Sequence, residues 1–214
     1  MAARTLYLIR HGQYNPEHQK EPLGNDLTPT GVIQARHTAE RMAAVPLTAI
    51  HTSSLLRAVQ TARYITEAHP DLPLQESELL WEITPPLPYL AMKYIKGISS
   101  EEIARDRRQA EKAFERYFRP AGEQNEFEAV ICHGNLIRYF VCRVLQVSPL
   151  IWMNFEIYNC SISMVEIDPM GNTILLSYNE SGHLPEEFKT QNLTDMGIGK
   201  KGTSFGKQSS PSTY

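Results

Sequence analysis

Tyr7-Leu8-Ile9-Arg10-His11-Gly12 is the stretch on which the reading of this chain turns. The apolar run from Leu6 to Ile9 is too short for a helix and stops at a breaker, the pattern of a buried strand whose last residues leave the sheet. Arg10 and His11 then stand on the rim at the strand's carboxyl end. In open α/β sheets ligands bind in the crevice formed there, so a guanidinium and an imidazole delivered to that rim suit an anionic substrate. A strand end carrying two solvated polar residues has the same hexapeptide, and only other parts of the chain separate the two readings.

The logic recurs at Phe127-Glu128-Ala129-Val130-Ile131-Cys132-His133-Gly134-Asn135. Here too an apolar run ends at a histidine and a glycine, and a helix follows with Ile137, Val141 and Val144 on its buried face. His133 is placed at a strand end and a helix N-terminus together, where backbone N–H groups and partial positive charge favour a phosphate.

Between these stretches the elements follow in order. Gln13 to Asp26, polar with Pro16, Pro22 and Gly24, reads as a loop beside the pocket. Thr28 caps a helix whose first turn holds Pro29, with Val32, Ala35, Ala39 and Met42 along one face, and Pro46 ends it. Thr48 to Thr52 is a second strand. Ser53-Ser54 then turns the chain into a helix with Leu55, Val59, Ala62 and Ile65 on one face and Arg57 in its first turn. The proline-rich stretch from Pro70 to Gly97, with Trp81, Tyr89 and Tyr94, reads as an excursion suited to substrate recognition. In it Glu82 follows Leu79-Leu80-Trp81, and burial among such groups would raise a carboxyl pKa. Ser99 and Glu102 have capping-box spacing and open a long helix to about Phe118, where Pro120 stops it. Ser161 to Ile167 and Thr173 to Asn179 form a hairpin that completes the sheet. The fold class expected is α/β, a three-layer α/β/α sandwich with a mostly parallel central sheet. The catalytic domain is expected over 1–193 and a Gly/Ser/Lys-rich tail over 194–214.

At 214 residues the chain suits one domain with a full core. Apolar residues at 42% and charged residues at 21% mark a globular protein, and a net charge of -3 gives no sign of a nucleic-acid partner. Cys132, Cys142 and Cys160 lack metal-ligand spacing, and their odd number argues against a disulfide framework. No run reaches the roughly 20 apolar residues of a membrane span, and no signal or transit segment opens the chain. A soluble, cytoplasmic protein is expected; a mitochondrial location is not.

Arg10, His11, Arg57, Glu82 and His133 thus come from separate segments, most of them at strand-to-helix junctions. Guanidinium forks match the oxygens of a phosphoryl group, and a neutral imidazole can attack phosphorus in line when its other nitrogen is held as a donor. The leaving alkoxide needs a proton, which a glutamic acid can supply and later recover from water. A zinc site on His11, His133 and His183 fits poorly, because two arginines repel a dication and no His-x-x-x-His spacing occurs. A serine hydrolase is weaker still without a Gly-x-Ser-x-Gly elbow.

These residues resemble the motifs of the histidine phosphatase, or phosphoglycerate-mutase-like, superfamily over roughly Leu6 to Pro185. They run in register as Arg10-His11-Gly12, Leu27-Thr28-Pro29-Thr30-Gly31 with Gln34-Ala35, Ser53-Ser54 with Arg57-Ala58 and Thr61-Ala62, Leu79-Leu80-Trp81-Glu82, and Cys132-His133-Gly134-Asn135. The stretch Ile131 to Arg143 and Gln13-Tyr14 look most like its mitochondrial serine/threonine protein phosphatase branch. The resemblance implies His11 as a phosphorylated nucleophile, Glu82 as proton donor, His133 as both catalytic and phosphate-binding, and Arg10, Arg57 and Asn135 as phosphate-binding. Ser54 and His183 are further candidates, His183 on a C-terminal loop able to close over the pocket. No metal and no cofactor is implied. Asn15 stands too early to match the asparagine of true mutases, which disfavours mutase activity. The expected activity is a phosphomonoesterase acting on phosphoserine or phosphothreonine proteins. A small-metabolite phosphatase and a non-catalytic scaffold of the same fold are the alternatives, and a homo-oligomer is compatible with each.

Overall fold

The computed structural model describes residues 2–20, 24–87 and 97–191. A six-stranded sheet runs β5-β4-β6-β1-β7-β8, built from β1 (Arg4–Arg10), β4 (Ala49–Ser53), β5 (Leu74–Ser77), β6 (Glu126–Cys132), β7 (Ile162–Ile167) and β8 (Thr173–Glu180). β1, β4, β5 and β6 are parallel, and only β7 opposes its neighbours. Among the described residues four α-helices cover it: α1 (Pro29–Met42), α2 (Leu56–Ala68), α3 (Ser100–Tyr117) and α4 (Gly134–Val144).

The three layers follow from alternation along the central strands. Leu6, Leu8, Val130 and Cys132 pack with Ala110, Ala113, Ile137 and Val141 of α3 and α4. Tyr7, Ile9, Ala129 and Ile131 point to the other face, against Ala39, Met42, Ala58, Ala62 and Ile65 of α1 and α2. A strand buried on both faces reads as a continuous apolar run, as Leu6 to Ile9 does. Each fully buried large aliphatic side chain contributes about 1.5–3 kcal/mol. α4 is buried on every side except at Arg143.

The capping expectations hold. Thr28 Oγ1 accepts the Gly31 N–H at 3.0 Å, and Ser99 Oγ accepts that of Glu102 at 3.1 Å. Two expectations are corrected. The stretch Gln13 to Asp26 is not a loop but carries a hairpin, β2 (Tyr14–Lys20) and β3 (Gly24–Leu27), with irregular register between Tyr14 and Gln19. Its residues are mostly polar and lack apolar alternation, so no strand signal shows; Gly24, at φ 82, takes a turn conformation open to glycine. The excursion after Pro70 begins with the edge strand β5, which at four residues is too short and too polar to announce itself. Tyr89, Tyr94 and the tail from Thr194 lie outside the described residues.

Candidate active site

Strand register assembles the site. Arg10 of β1 lies opposite Cys132 of β6, so His11 and His133, the next residues on two parallel strands, emerge at the same level. Their ring centroids are 5.0 Å apart. β4 joins β6 with Thr52 opposite Ile131, which carries Ser53 to the same rim. Arg57, in the first turn of α2, follows from the turn after β4.

His11 is fully buried and its Nδ1 lies 2.8 Å from the Gly12 carbonyl. A carbonyl only accepts, so the proton resides on Nδ1 and the lone pair on Nε2. Arg57 Nε–H donates to that lone pair at 3.2 Å, and its Nη2 donates to His133 Nδ1 at 3.1 Å. His133 therefore carries its proton on Nε2, which donates to Ser53 Oγ at 2.8 Å. One guanidinium thus spans both imidazoles, resting 4.7 Å from the Tyr14 ring centroid, and the Tyr14 ring stands edge-on to His11. Arg10 is buried beside them and donates to the Ile157 carbonyl at 2.6 Å. A Cβ on Gly134 would come within 3.1 Å of Arg10 Nε, so the glycine of the second motif makes room for the arginine of the first.

Burial, then Arg57, then Arg10, hold the His11 pKa well below the ordinary imidazole value, against the opposing bond to Gly12. Burial followed by Arg57, His11 and Arg10 does the same for His133. Both rings are neutral at pH 7, as a nitrogen nucleophile requires. Burial pushes the neighbouring Cys132 thiol up, which removes it as a competing nucleophile. Ring titration by NMR should find His11 and His133 still neutral as pH falls through 6.5; a midpoint at 6.5 or above contradicts this. The unfolded chain protonates both rings near 6.5, so it binds more protons than the folded state below that pH. Stability is therefore expected to fall as pH drops from 6.5 toward the lowered folded values, read by denaturant unfolding at pH 7.5 and 5.5.

Glu82 departs from its expected setting. It is half-buried, and instead of an apolar pocket it meets backbone donors: Oε1 accepts the N–H groups of Ile83 (3.1 Å), Asn135 (3.2 Å) and Leu136 (3.2 Å). Two of the N-terminal amides of α4, a helix start expected to favour a phosphate, are thus taken by a carboxyl oxygen of Glu82. Glu82 nonetheless opens onto a cavity of about 1030 Å³ that Tyr14, Arg57, Trp81 and Asn135 also line.

Three expected site residues have structural partners. The Asn135 side chain, at the cavity wall, ties the Glu82 loop to α4: its Nδ2 donates to the Ile83 carbonyl and its Oδ1 accepts from Arg138. Ser54 Oγ accepts the Trp81 indole N–H at 2.7 Å; Ser53, its neighbour, is the serine that reaches His133. Ser53 is the last residue of β4 and Ser54 lies in the bend beyond it, so the pairing of β4 with β6 brings Ser53, and not its neighbour, to the rim beside His133. His183 does not close over the cavity. Its Nε2 lies 3.1 Å from both Thr38 Oγ1 and the carbonyl of Cys160, whose own N–H bonds the Arg10 carbonyl, so His11, His133 and His183 are not gathered as a metal set. Thr61, quoted in the motif without a role, accepts the Gly12 N–H at 3.0 Å and donates to the Arg57 carbonyl at 2.7 Å.

No helix among the described residues is long and apolar enough to cross a membrane. Comparison with known proteins extends the geometric picture. The chain is 35% identical over 193 residues to the mitochondrial serine/threonine-protein phosphatase PGAM5 of Xenopus tropicalis, covering 87% of this chain and 68% of that protein. It is 34% identical to the human protein and 33% identical to the Caenorhabditis elegans protein of the same name, in each case spanning 65% of the relative's length. Those names include mitochondria, where the expectation for this chain was the cytoplasm. Among solved structures it is similar to a phosphoglycerate mutase from Plasmodium falciparum, with TM-score 0.59 and 29% identity over 87% of this chain and 96% of that one. A phosphoserine phosphatase from Entamoeba histolytica, at 23% identity over 85% of this chain and all of that one, shares the fold with TM-score 0.66. The model of the histidine phosphatase superfamily, branch 1, matches residues 6–86 and 92–180, which include both histidines, Arg57 and Glu82. This chain belongs to the histidine phosphatase superfamily.

Proposed function

We propose that this protein is a metal-independent phosphomonoesterase that works through a phosphohistidine on His11 and acts on phosphoserine or phosphothreonine in proteins. The observation that carries the chemistry is the Arg57 guanidinium bridging His11 Nε2 and His133 Nδ1 while Gly12 holds the proton on His11 Nδ1. The substrate phosphate competes for the same guanidinium donors; once they turn to its oxygens, the Nε2 lone pair is released for in-line attack. Arg10 and Arg57 then stabilise the charge spread over the equatorial oxygens, and His133, the second imidazole bonded to Arg57, positions that guanidinium.

In the first step the Nε2 lone pair forms an N–P bond as the P–O ester bond breaks, and the departing alkoxide takes a proton from Glu82. In the second step water attacks phosphorus, the N–P electrons return to Nε2, Glu82 takes the water proton, and inorganic phosphate leaves. The proton consumed in the first step is regenerated in the second. The kinship with serine/threonine-protein phosphatases supports a protein substrate. A cavity of about 1030 Å³ is also large enough to take up a whole metabolite, which keeps a small phosphate ester as the second reading.

The test is hydrolysis of phosphoserine and phosphothreonine peptides and of phosphorylated metabolites in excess chelator, beside His11→Ala. Turnover of peptides that survives chelation and disappears in the variant is expected. Turnover confined to one metabolite would retain the chemistry and replace the substrate, and silence on both panels would leave the non-catalytic scaffold.

A further inference from the structure

Gln34, Asn159 and Thr190 take no part in the steps above, yet all three converge on the nucleophile loop. Gln34 and Asn159 are fully buried, one on α1 and the other just before β7. Gln34 Oε1 accepts the Gln13 N–H at 2.8 Å, and its Nε2 donates to the Phe188 carbonyl at 2.6 Å and to Thr190 Oγ1 at 2.8 Å. The Thr190 hydroxyl in turn donates to Asn159 Oδ1 at 3.1 Å. Asn159 Nδ2 donates to the His11 carbonyl at 3.1 Å, and its backbone N–H donates to the Thr190 carbonyl at 2.9 Å. The circuit runs from the peptide after His11, through the C-terminal segment, to the peptide after Gly12.

The consequence lies in peptide planarity. The Gln13 N–H and the Gly12 carbonyl belong to one rigid peptide unit, so a hydrogen bond that fixes the N–H also fixes the direction of the carbonyl. That carbonyl is the acceptor of His11 Nδ1. The preceding unit is held at both ends as well, its carbonyl by Asn159 and its N–H by Thr61. Steric fit closes the remaining freedom, since a Cβ on Gly12 would lie 2.7 Å from the Gly31 carbonyl oxygen and one on Gly31 would lie 2.0 Å from that of Gln13. Burying two side-chain amides is unfavourable unless their groups are bonded, and here those bonds end on the nucleophile's own backbone.

We propose that Gln34, Asn159 and Thr190 are positioning residues that hold the Gly12–Gln13 peptide so that its carbonyl keeps the proton on His11 Nδ1 and the lone pair on Nε2, which makes segment 188–190 part of the nucleophile's support. The inference rests on His11 being the nucleophile, but its first readout, the ring tautomer, needs no turnover. Thr190 is half-buried and far along the chain from the cavity residues, so Thr190→Val removes only the hydroxyl, and Thr190→Ser restores it.

In the full chain, Thr190→Val is expected to lower kcat about tenfold with KM within about twofold, as for one loosened buried hydrogen bond acting on the chemical step. Thr190→Ser should stay within about twofold of the parent in both. Ring 15N correlations should show the single Nδ1–H form of His11 in the parent and in Thr190→Ser, and a mixture of tautomers in Thr190→Val. Gln34→Met, read by the same ring signals, keeps the test decisive if Thr190→Val folds poorly. An unchanged tautomer in these variants overturns the proposal, as does an equal kinetic loss in Thr190→Val and Thr190→Ser. Turnover retained by His11→Ala would instead remove the nucleophile assignment, an outcome separate from either.

Discussion

His11→Ala is expected to lower kcat on every phosphomonoester by on the order of 10⁴-fold or more, because in the proposed mechanism it deletes the atom that forms the N–P bond. The loss corresponds to about 5.5 kcal/mol of transition-state stabilisation. Binding should suffer far less: Arg10 and Arg57, the proposed phosphate ligands, remain, and Arg57 Nε, released from His11 Nε2, gains freedom to bind a phosphate oxygen. The fold should persist, since the variant leaves a small cavity and one carbonyl, that of Gly12, without its side-chain partner, at about 1 kcal/mol for the bond. The measurement is rapid quench with ³²P-labelled substrate. Label bound to the parent protein should survive alkali and be released by acid, as a phosphoramidate bond requires, and no label should attach to the variant. Acid-stable label, or a variant that turns over within about tenfold of the parent, would end the phosphohistidine reading.

Glu82→Gln should slow hydrolysis of a serine phosphate by on the order of 10³-fold while costing an aryl phosphate with an acidic leaving group about tenfold or less. Glutamine retains an oxygen to accept the Ile83, Asn135 and Leu136 amides, so the start of α4 stays capped and the loop stays in place. What is lost is the proton an alkoxide needs to depart. A nitrophenolate leaves without one, which is why the two substrates separate acid catalysis from mere distortion of the site. Equal losses on both would take Glu82 out of the acid role and leave it as the cap of α4. The amide-lined setting also makes the second step important to the first: the proton gained from water in dephosphorylation is the one available to the next leaving group.

The parts of this site that were legible in the sequence are those with local causes. The run Leu6 to Ile9 is apolar because its strand is buried on both faces, and it stops where the chain leaves the sheet, so His11 could be placed at the strand end without coordinates. Thr28-Pro29 and Ser99 signal helix starts because capping is satisfied within three residues. The hairpin Tyr14–Lys20 with Gly24–Leu27 was not legible, since its polar residues carry no period and its pairing is irregular. Glu82 is picked out by its place after an aromatic and apolar cluster, but two of the three amides around it come from α4, more than fifty residues on.

By itself, then, the order of apolar runs, caps and breakers determined a layered α/β chain with two histidine-bearing strand ends and an arginine at a helix start. These features depend on neighbours a few residues apart. Only the tertiary structure decided that Ser53 rather than Ser54 meets His133, that Glu82 takes the Asn135 and Leu136 amides of α4, that His183 bonds the Cys160 carbonyl and not the cavity, and that Gln34 and Asn159, joined by Thr190, reach the peptides beside His11. Each of these is set by strand register and by contacts between residues distant in the chain, where a side chain's partner depends on which face the packing presents.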